Sequence, residues 1–216
     1  MDLAKEAVDR RARSIAILTR EGVPYMAQLP VIETSSEAKP RPKIEVAYRA
    51  LSLLTVALKG EGLDQAIVEE IVQEHGLFAH LTPKEAAFFA TESPVQHDRT
   101  QFSWRYDCAW VMLWALGYVE TLGRPSTICD VPRAVSYMKD QTTSQFILNA
   151  KDRPIAEILD AADIIYRYHW AVRSARLNGR PVPAGLAPGV VQERHQALNW
   201  LIGCRAEQWD DITTDT

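Results

Sequence analysis

The chain has 216 residues, 47% of them hydrophobic and 24% charged, with a formal net charge of −4 at pH 7. That length can bury a substantial core, and the composition excludes a disordered or fibrous chain. The absent basic excess argues against a nucleic-acid partner, and three cysteines with no C-x-x-C pair argue against a disulfide framework or a thiolate metal site.

The N-terminal MDLAKEAVDRRARS has no apolar core, hence no secretory signal, and a cytoplasmic location is expected. Ala4, Val8, Ala12, Ile15 and Leu18 recur at steps of three and four and predict a helix from Leu3 to Arg20. Lys5, Arg10, Arg11 and Arg13 are interleaved with Asp2, Glu6 and Asp9, which reads as a solvated face. Gly22 and Pro24 end that helix. Pro24, Pro30, Pro40 and Pro42 then exclude a long regular element, leaving an exposed Pro-rich loop over 33–43. Ile44 to Lys59 is amphipathic, with Gly60 and Gly62 as its stop, and Asp64 caps a further helix through His75. In LTPKE, Thr82 is an N-cap, Pro83 suits the first helical position and Glu85 completes a capping box. That helix is expected to end near Glu92.

The stretch QFSWRYDCAWVMLWALGYVETL, from Gln101 to Leu122, carries no charge between Cys108 and Val119. A helix that is apolar all round belongs in a core or a membrane. Its twelve uncharged residues fall short of the roughly 18 to 20 that a bilayer crossing needs. A central core helix over about 103–122 is therefore predicted, and no membrane partner. Gly123 and Pro125 stop it, and Asp130 opens a brief helix through Met138. Residues 141–152 read as a polar linker with a short extended piece at Phe146, Ile147 and Leu148. The longest helix runs from Pro154 to Asn178, a Pro- and Gly-rich loop spans Gly179 to Gly189, and a last helix runs from Val190 to Ala206. An acidic tail, 207–216, follows. The reading is an all-α, single globular multi-helix domain over 1–216, wrapped around the central helix, with long loops.

Polar residues that interrupt apolar faces carry the functional argument. Ile155, Ile158, Ala162, Ile165 and Val172 define the inward stripe of the long helix; His169 and Arg173 sit on it and Arg176 joins its end. Asp160, Asp163 and Arg167 fall on the opposite side, expected to be solvated, with Asp163 and Arg167 as an ordinary i,i+4 pair. In the last helix Glu193 and Arg194 lie within the apolar arc, with His195 and Asn199 near its edge. Consecutive helices on a short loop are antiparallel neighbours. One polar cluster is thus expected between the last two helices and the tail, with Asp210 and Asp211 supplied to the arginines. Buried charges need partners or line a cavity.

Three readings of that cluster follow. It fastens the tail; or it binds an anionic ligand or a partner's acidic segment through Arg173 and Arg194; or it is a catalytic or metal site of His169, Glu193, His195, Asp210 and Asp211. Glu193 and His195 are two apart and share no helix face, which weakens a metal site; no metal and no cofactor is expected. There is no Gly-rich phosphate loop, no G-x-S-x-G and no H-E-x-x-H. Cys108 and Cys204 read as buried small hydrophobes, and His75, His80 and His97 as histidines of loops and helix ends. Trp104, Trp110 and Trp114 at helical spacing read as core. Arg105 is expected to meet a carboxylate, and Asp107 favours the helix dipole.

FSWRYDCAWVMLWALGYVETL, LDAADIIYRYHWAVRSARLNG, VVQERHQALNWLIG and WDDITTDT, with RRARSIAILTREGVPYMAQLPVI and EVAYRALSLLTVALKG before them, resemble a bacterial family, domain of unknown function 4272, in order and over nearly the whole chain. The family more usually carries Glu where this chain has Asp107, a change that keeps the charge. The resemblance implies one soluble, mostly helical bacterial domain and brings no catalytic residue with it. The expectation is a non-enzymatic binding or protein-interaction domain, with an unknown protein or an anionic small molecule as partner. The alternative is a hydrolase-type enzyme with Glu193 or His195 as general base, or a metal-dependent one.

Overall fold

The computed structural model describes residues 3–216, so Met1 and Asp2, the latter counted in the N-terminal charge mixture, lie outside the described residues. Helices account for its regular structure, with no strand among the described residues. In chain order these are α1 (Leu3–Arg20), α2 (Lys43–Glu61), α3 (Gln65–Glu74), α4 (Pro83–Ala90), α5 (Gln96–Ser103), α6 (Arg105–Ala115), α7 (Val131–Lys139), α8 (Thr143–Asn149), α9 (Ile155–Leu177) and α10 (Pro188–Leu201). Side-chain oxygens set several starts by accepting from free backbone N–H groups: Asp64 for α3, Thr82 for α4, Asp130 for α7 and Thr142 for α8. The predicted Thr82–Glu85 capping box is present in both directions.

Every residue from Tyr106 to Ala115 is buried, as an all-round apolar helix requires. Helix α6 packs on α2 and α10, α10 also packs on α9, and α1 covers another face of α9. One hydrophobic core runs from Leu18 to Trp209. No helix among the described residues is long and apolar enough to cross a membrane.

The central helix is shorter than predicted. It starts after a break at Trp104 and ends at Ala115, because Gly117 adopts φ 75°. Tyr118 N–H bonds to the Leu113 carbonyl at 2.9 Å and Gly117 N–H to that of Trp114 at 3.1 Å, a Schellman ending. The next free carbonyls, of Ala115 and Leu116, accept from Arg153 and Lys151 N–H. A glycine inside an uncharged run was the stop signal.

Four other expectations change. Residues 96–103, for which the sequence predicts no separate helix, form α5, which crosses α2 at Gly60: a Cβ there would lie 2.7 Å from the Arg99 carbonyl. Gly60 therefore makes a helix crossing, and Gly62 at φ 107° ends α2. The expected linker and extended piece at 146–148 are helix α8, opened by a Thr142–Gln145 capping box. Helix α10 ends at Leu201 instead of Ala206, with Gly203 at φ 70° and the backbone of Lys39 against it.

The fourth change concerns charge. Asp163 and Arg167, expected on a solvated face, have fully buried side chains and form a two-pronged pair at 2.7 and 2.8 Å. Helix α1 and the loop after it cover that face, and the Pro30 carbonyl accepts from Arg167. Arg10, placed in the solvated mixture, is also buried: it donates to Glu6, Asp160 and the Glu33 carbonyl.

Candidate functional site: an arginine-lined pocket beside a histidine pair

Arg173 and Arg176 are three apart on α9, so they share a face. Gly179, at φ 61°, ends the helix and turns Arg180 back alongside them. These three arginines, with His169, Gln192 and Thr214, line a pocket of about 520 Å³ between α9, α10 and the tail. Val172, Val182 and Pro188 supply its apolar part. Pro188 is also the first residue of α10, which begins with no capping side chain, so the positive end of that helix lies at the rim. The ion pairs found among the described residues use other cations, and Arg173, Arg176 and Arg180 have no carboxylate at salt-bridge distance.

Behind the pocket, His169 on α9 and His195 on α10 approach Nδ1 to Nδ1 at 2.8 Å, with rings 89° apart. They are 9% and 2% exposed. Burial, followed by the charges of Arg173 and Arg176, pulls His169 down to about 4. Burial and the neighbouring His169 pull His195 to about 3. Both rings are therefore neutral at pH 7. His195 was expected at the edge of its arc, and lies in the core.

The other expected members of the cluster are elsewhere. Glu193 faces α6: it accepts from Arg105 Nη1 at 2.7 Å and from the Cys108 thiol at 3.0 Å. Cys108 is buried as expected, yet it serves as a hydrogen-bond donor. Arg194 also turns to α6, with Asp107 at 3.7 Å and the Leu122 and Gly123 carbonyls at 2.9 and 3.0 Å. Burial raises Asp107 to about 6, against the pull of Arg194, and burial with Asp107 nearby pushes Cys129 up to about 12. Asp210 caps α4, accepting from Lys84 N–H at 3.0 Å while Lys84 Nζ donates to its carbonyl at 2.9 Å. Asp210 and Asp211 line a cleft with Tyr48, His80, Lys84 and Trp209. The expected single cluster is thus three separate ones. Helix α10 lies between α6 and α9, so residues 193 and 194 face one neighbour and residue 195 the other.

Several consequences are direct. Arg194, expected as a binding fork, is engaged inside the fold; Arg105, a binding candidate expected to meet a carboxylate, pairs with Glu193; and Asp210 and Asp211 do not reach the arginines of α9. His169, Glu193 and His195 do not converge on one open cleft, as a hydrolase using all three requires. Among the described residues no three His, Cys, Asp or Glu side chains are grouped to hold a metal ion. His75, expected among loop histidines, is buried and bonded to Thr143, while His80 stacks on Tyr48. Arg180 and Gln192 were missed; the Asn178-Gly179 ending, which returns Arg180 to the helix face, was the available signal for the first.

A family model described as Domain of unknown function (DUF4272) matches residues 10–212. The chain belongs to this family. No curated protein and no solved structure matches it. In this DUF4272 chain the matched span contains α2 to α10, the arginine-lined pocket apart from Thr214, and the histidine pair.

Proposed function

We propose that this protein is a non-enzymatic binding protein for a small oxyanionic ligand, a phosphate ester or a carboxylate, seated against Arg173, Arg176 and Arg180. The observation that carries this reading is the grouping of three guanidinium groups on one pocket with no carboxylate to neutralise them. Guanidinium forks match carboxylate and phosphate geometry, and 520 Å³ falls within the roughly 300–1,000 Å³ of ordinary ligand pockets. His169, pulled down first by burial, is lowered further by these same guanidinium charges at the wall. The three cysteines are free, which supports a reducing bacterial cytoplasm as its setting.

The test is a thermal-shift and calorimetric screen with sulfate, inorganic phosphate, citrate and nucleoside phosphates. A ligand at about 100 times its Kd adds about 2.7 kcal/mol of stability, a rise of several degrees for a domain this size. Arg176→Gln and Arg180→Gln change exposed residues, so each should keep the ligand-free melting temperature and lose the shift. A flat response to every anion, or a response unaltered in both variants, refutes the reading.

A further inference from the structure

His195 lines a second cleft, of about 620 Å³, whose other walls include Glu33, Glu37, Asn199, Arg205 and Asp215. The imidazole pair therefore stands between two cavities, with His169 on the arginine side and His195 on the acidic side. Their Nδ1 atoms meet at 2.8 Å, and neither Nε2 has a hydrogen-bond partner among the described residues. His195 is 2% exposed, and its unpartnered Nε2 is left to the cleft that the residue lines.

We infer that the acidic cleft is a second ligand site, for a protonated amine, and that the histidine pair couples it to the oxyanion pocket. A neutral imidazole carries one N–H. The Nδ1–Nδ1 contact needs one hydrogen, so one ring is the Nδ1–H form and the other holds its hydrogen on Nε2. An oxyanion beside His169 selects the Nε2–H form of that ring, because only that form donates to it. His169 Nδ1 is then bare and accepts from His195 Nδ1–H. His195 Nε2 is left bare in its turn, an acceptor presented to the acidic cleft.

An amine fits what surrounds that acceptor. Glu33, Glu37 and Asp215 outnumber Arg205 on the cleft walls, and their carboxylates are not grouped tightly enough to hold a metal ion. An ammonium group supplies the N–H that the bare nitrogen accepts and the charge that the carboxylates complement. The coupling rests on the anion reading above; the amine site does not.

The experiment uses the 216-residue chain with nitrogen-15-labelled histidine, whose ring nitrogens report tautomers directly. Sodium sulfate and 1,4-diaminobutane are the probes, added separately and together. Sulfate should convert His169 to the Nε2–H form and His195 to the Nδ1–H form. Diaminobutane should then shift His195 Nε2 and bind at least about fivefold more tightly with sulfate than without, with sulfate gaining the same factor from the amine. Arg176→Gln, at an exposed position, should leave the amine affinity independent of sulfate.

If sulfate binds but both tautomers stay as they were, the coupling is wrong and the anion pocket stands. If sulfate perturbs nothing, the anion reading and the coupling fall together, and the amine titration alone decides the second site. If diaminobutane leaves His195 unshifted under both conditions, the amine site is refuted. A ligand-free spectrum with no Nδ1–H on either ring removes the pair and the coupling with it.

Discussion

Asp107 and Arg194 stand 3.7 Å apart, carboxylate Oδ1 to guanidinium Nε, with 2% and 5% of their side chains exposed. Arg194 also holds the Leu122 and Gly123 carbonyls, so one side chain ties α10 to α6 and to the chain beyond it. Arg194→Met should cost about 3–5 kcal/mol by leaving a buried carboxylate without its partner. Asp107→Asn should cost less and should change the pH profile. Burial raises this carboxyl to about 6 in the fold, so its contribution is fullest below the unfolded value, about 3.9, and is lost as pH rises towards 6. Guanidinium unfolding at pH 4 and pH 6 should show the Asn variant gaining on the wild type at the higher pH. An unchanged midpoint in Arg194→Met would mean that the pair ties nothing together.

Helix α4 offers a comparison between a cap and a buried charge. Glu85 Oε2 accepts from the Thr82 N–H at 2.9 Å and also from Arg49, whose side chain is 5% exposed. Thr82→Ala removes only the cap and should cost about 1 kcal/mol. Glu85→Ala removes the cap's other half and strands Arg49, so about 3–5 kcal/mol is expected. Thermal melts followed by circular dichroism separate the two. Equal losses would show that the Arg49 contact contributes nothing.

The fold was legible where periodicity or capping chemistry was strong. Helix α1, the Thr82 box and the long helix α9 lie within a residue or two of their predicted bounds. The failures have local physical causes. Helix α5, QHDRTQFS, buries none of its residues, so it had no apolar stripe to read, and α8 was hidden in a polar run although Thr142 and Gln145 stand at capping-box spacing. Of the candidate site, His169, Arg173 and Arg176 were legible as polar residues on an inward face. What a helical wheel cannot give is the second layer. It assigns one buried side to each helix, whereas α10 is covered by both α6 and α9, and α9 by both α10 and α1. Glu193, Arg194 and His195 are adjacent in sequence and were grouped for that reason, yet they serve different neighbours.

The same second layer makes Asp163 and Arg167 informative. Both side chains are 0% exposed, and Arg167 Nη1 has no partner. Asp163→Ala or Arg167→Met alone should destabilise by about 3–5 kcal/mol, since each leaves an isolated charge in the core. The double variant should cost less than the two losses added together, because the stranded partner is gone as well. Urea denaturation of the four proteins closes the cycle. Strictly additive losses would mean the pair acts as two independent side chains.

Acid should destabilise this protein well above the range of ordinary carboxylates. His169 and His195 are held neutral in the fold, at about 4 and about 3, whereas an unfolded histidine protonates near 6.5. Their contribution is complete above that unfolded value and is lost as pH falls from about 6.5 towards the folded values. At pH 5 each ring forfeits roughly 2 kcal/mol. Asp107 works against this, gaining stability as pH falls through about 6, while His75, also pushed down by burial, adds to the loss. The net fall between pH 7.5 and pH 5 should be roughly 2–3 kcal/mol, read as a lower urea midpoint at unchanged m-value. His195→Asn removes one of the two main titrating rings and should cut the fall sharply, whatever constant cost it carries from leaving His169 Nδ1 without its partner. Equal or greater stability at pH 5 would mean that the rings are not held neutral, and the tautomer coupling across the pair would lose its basis.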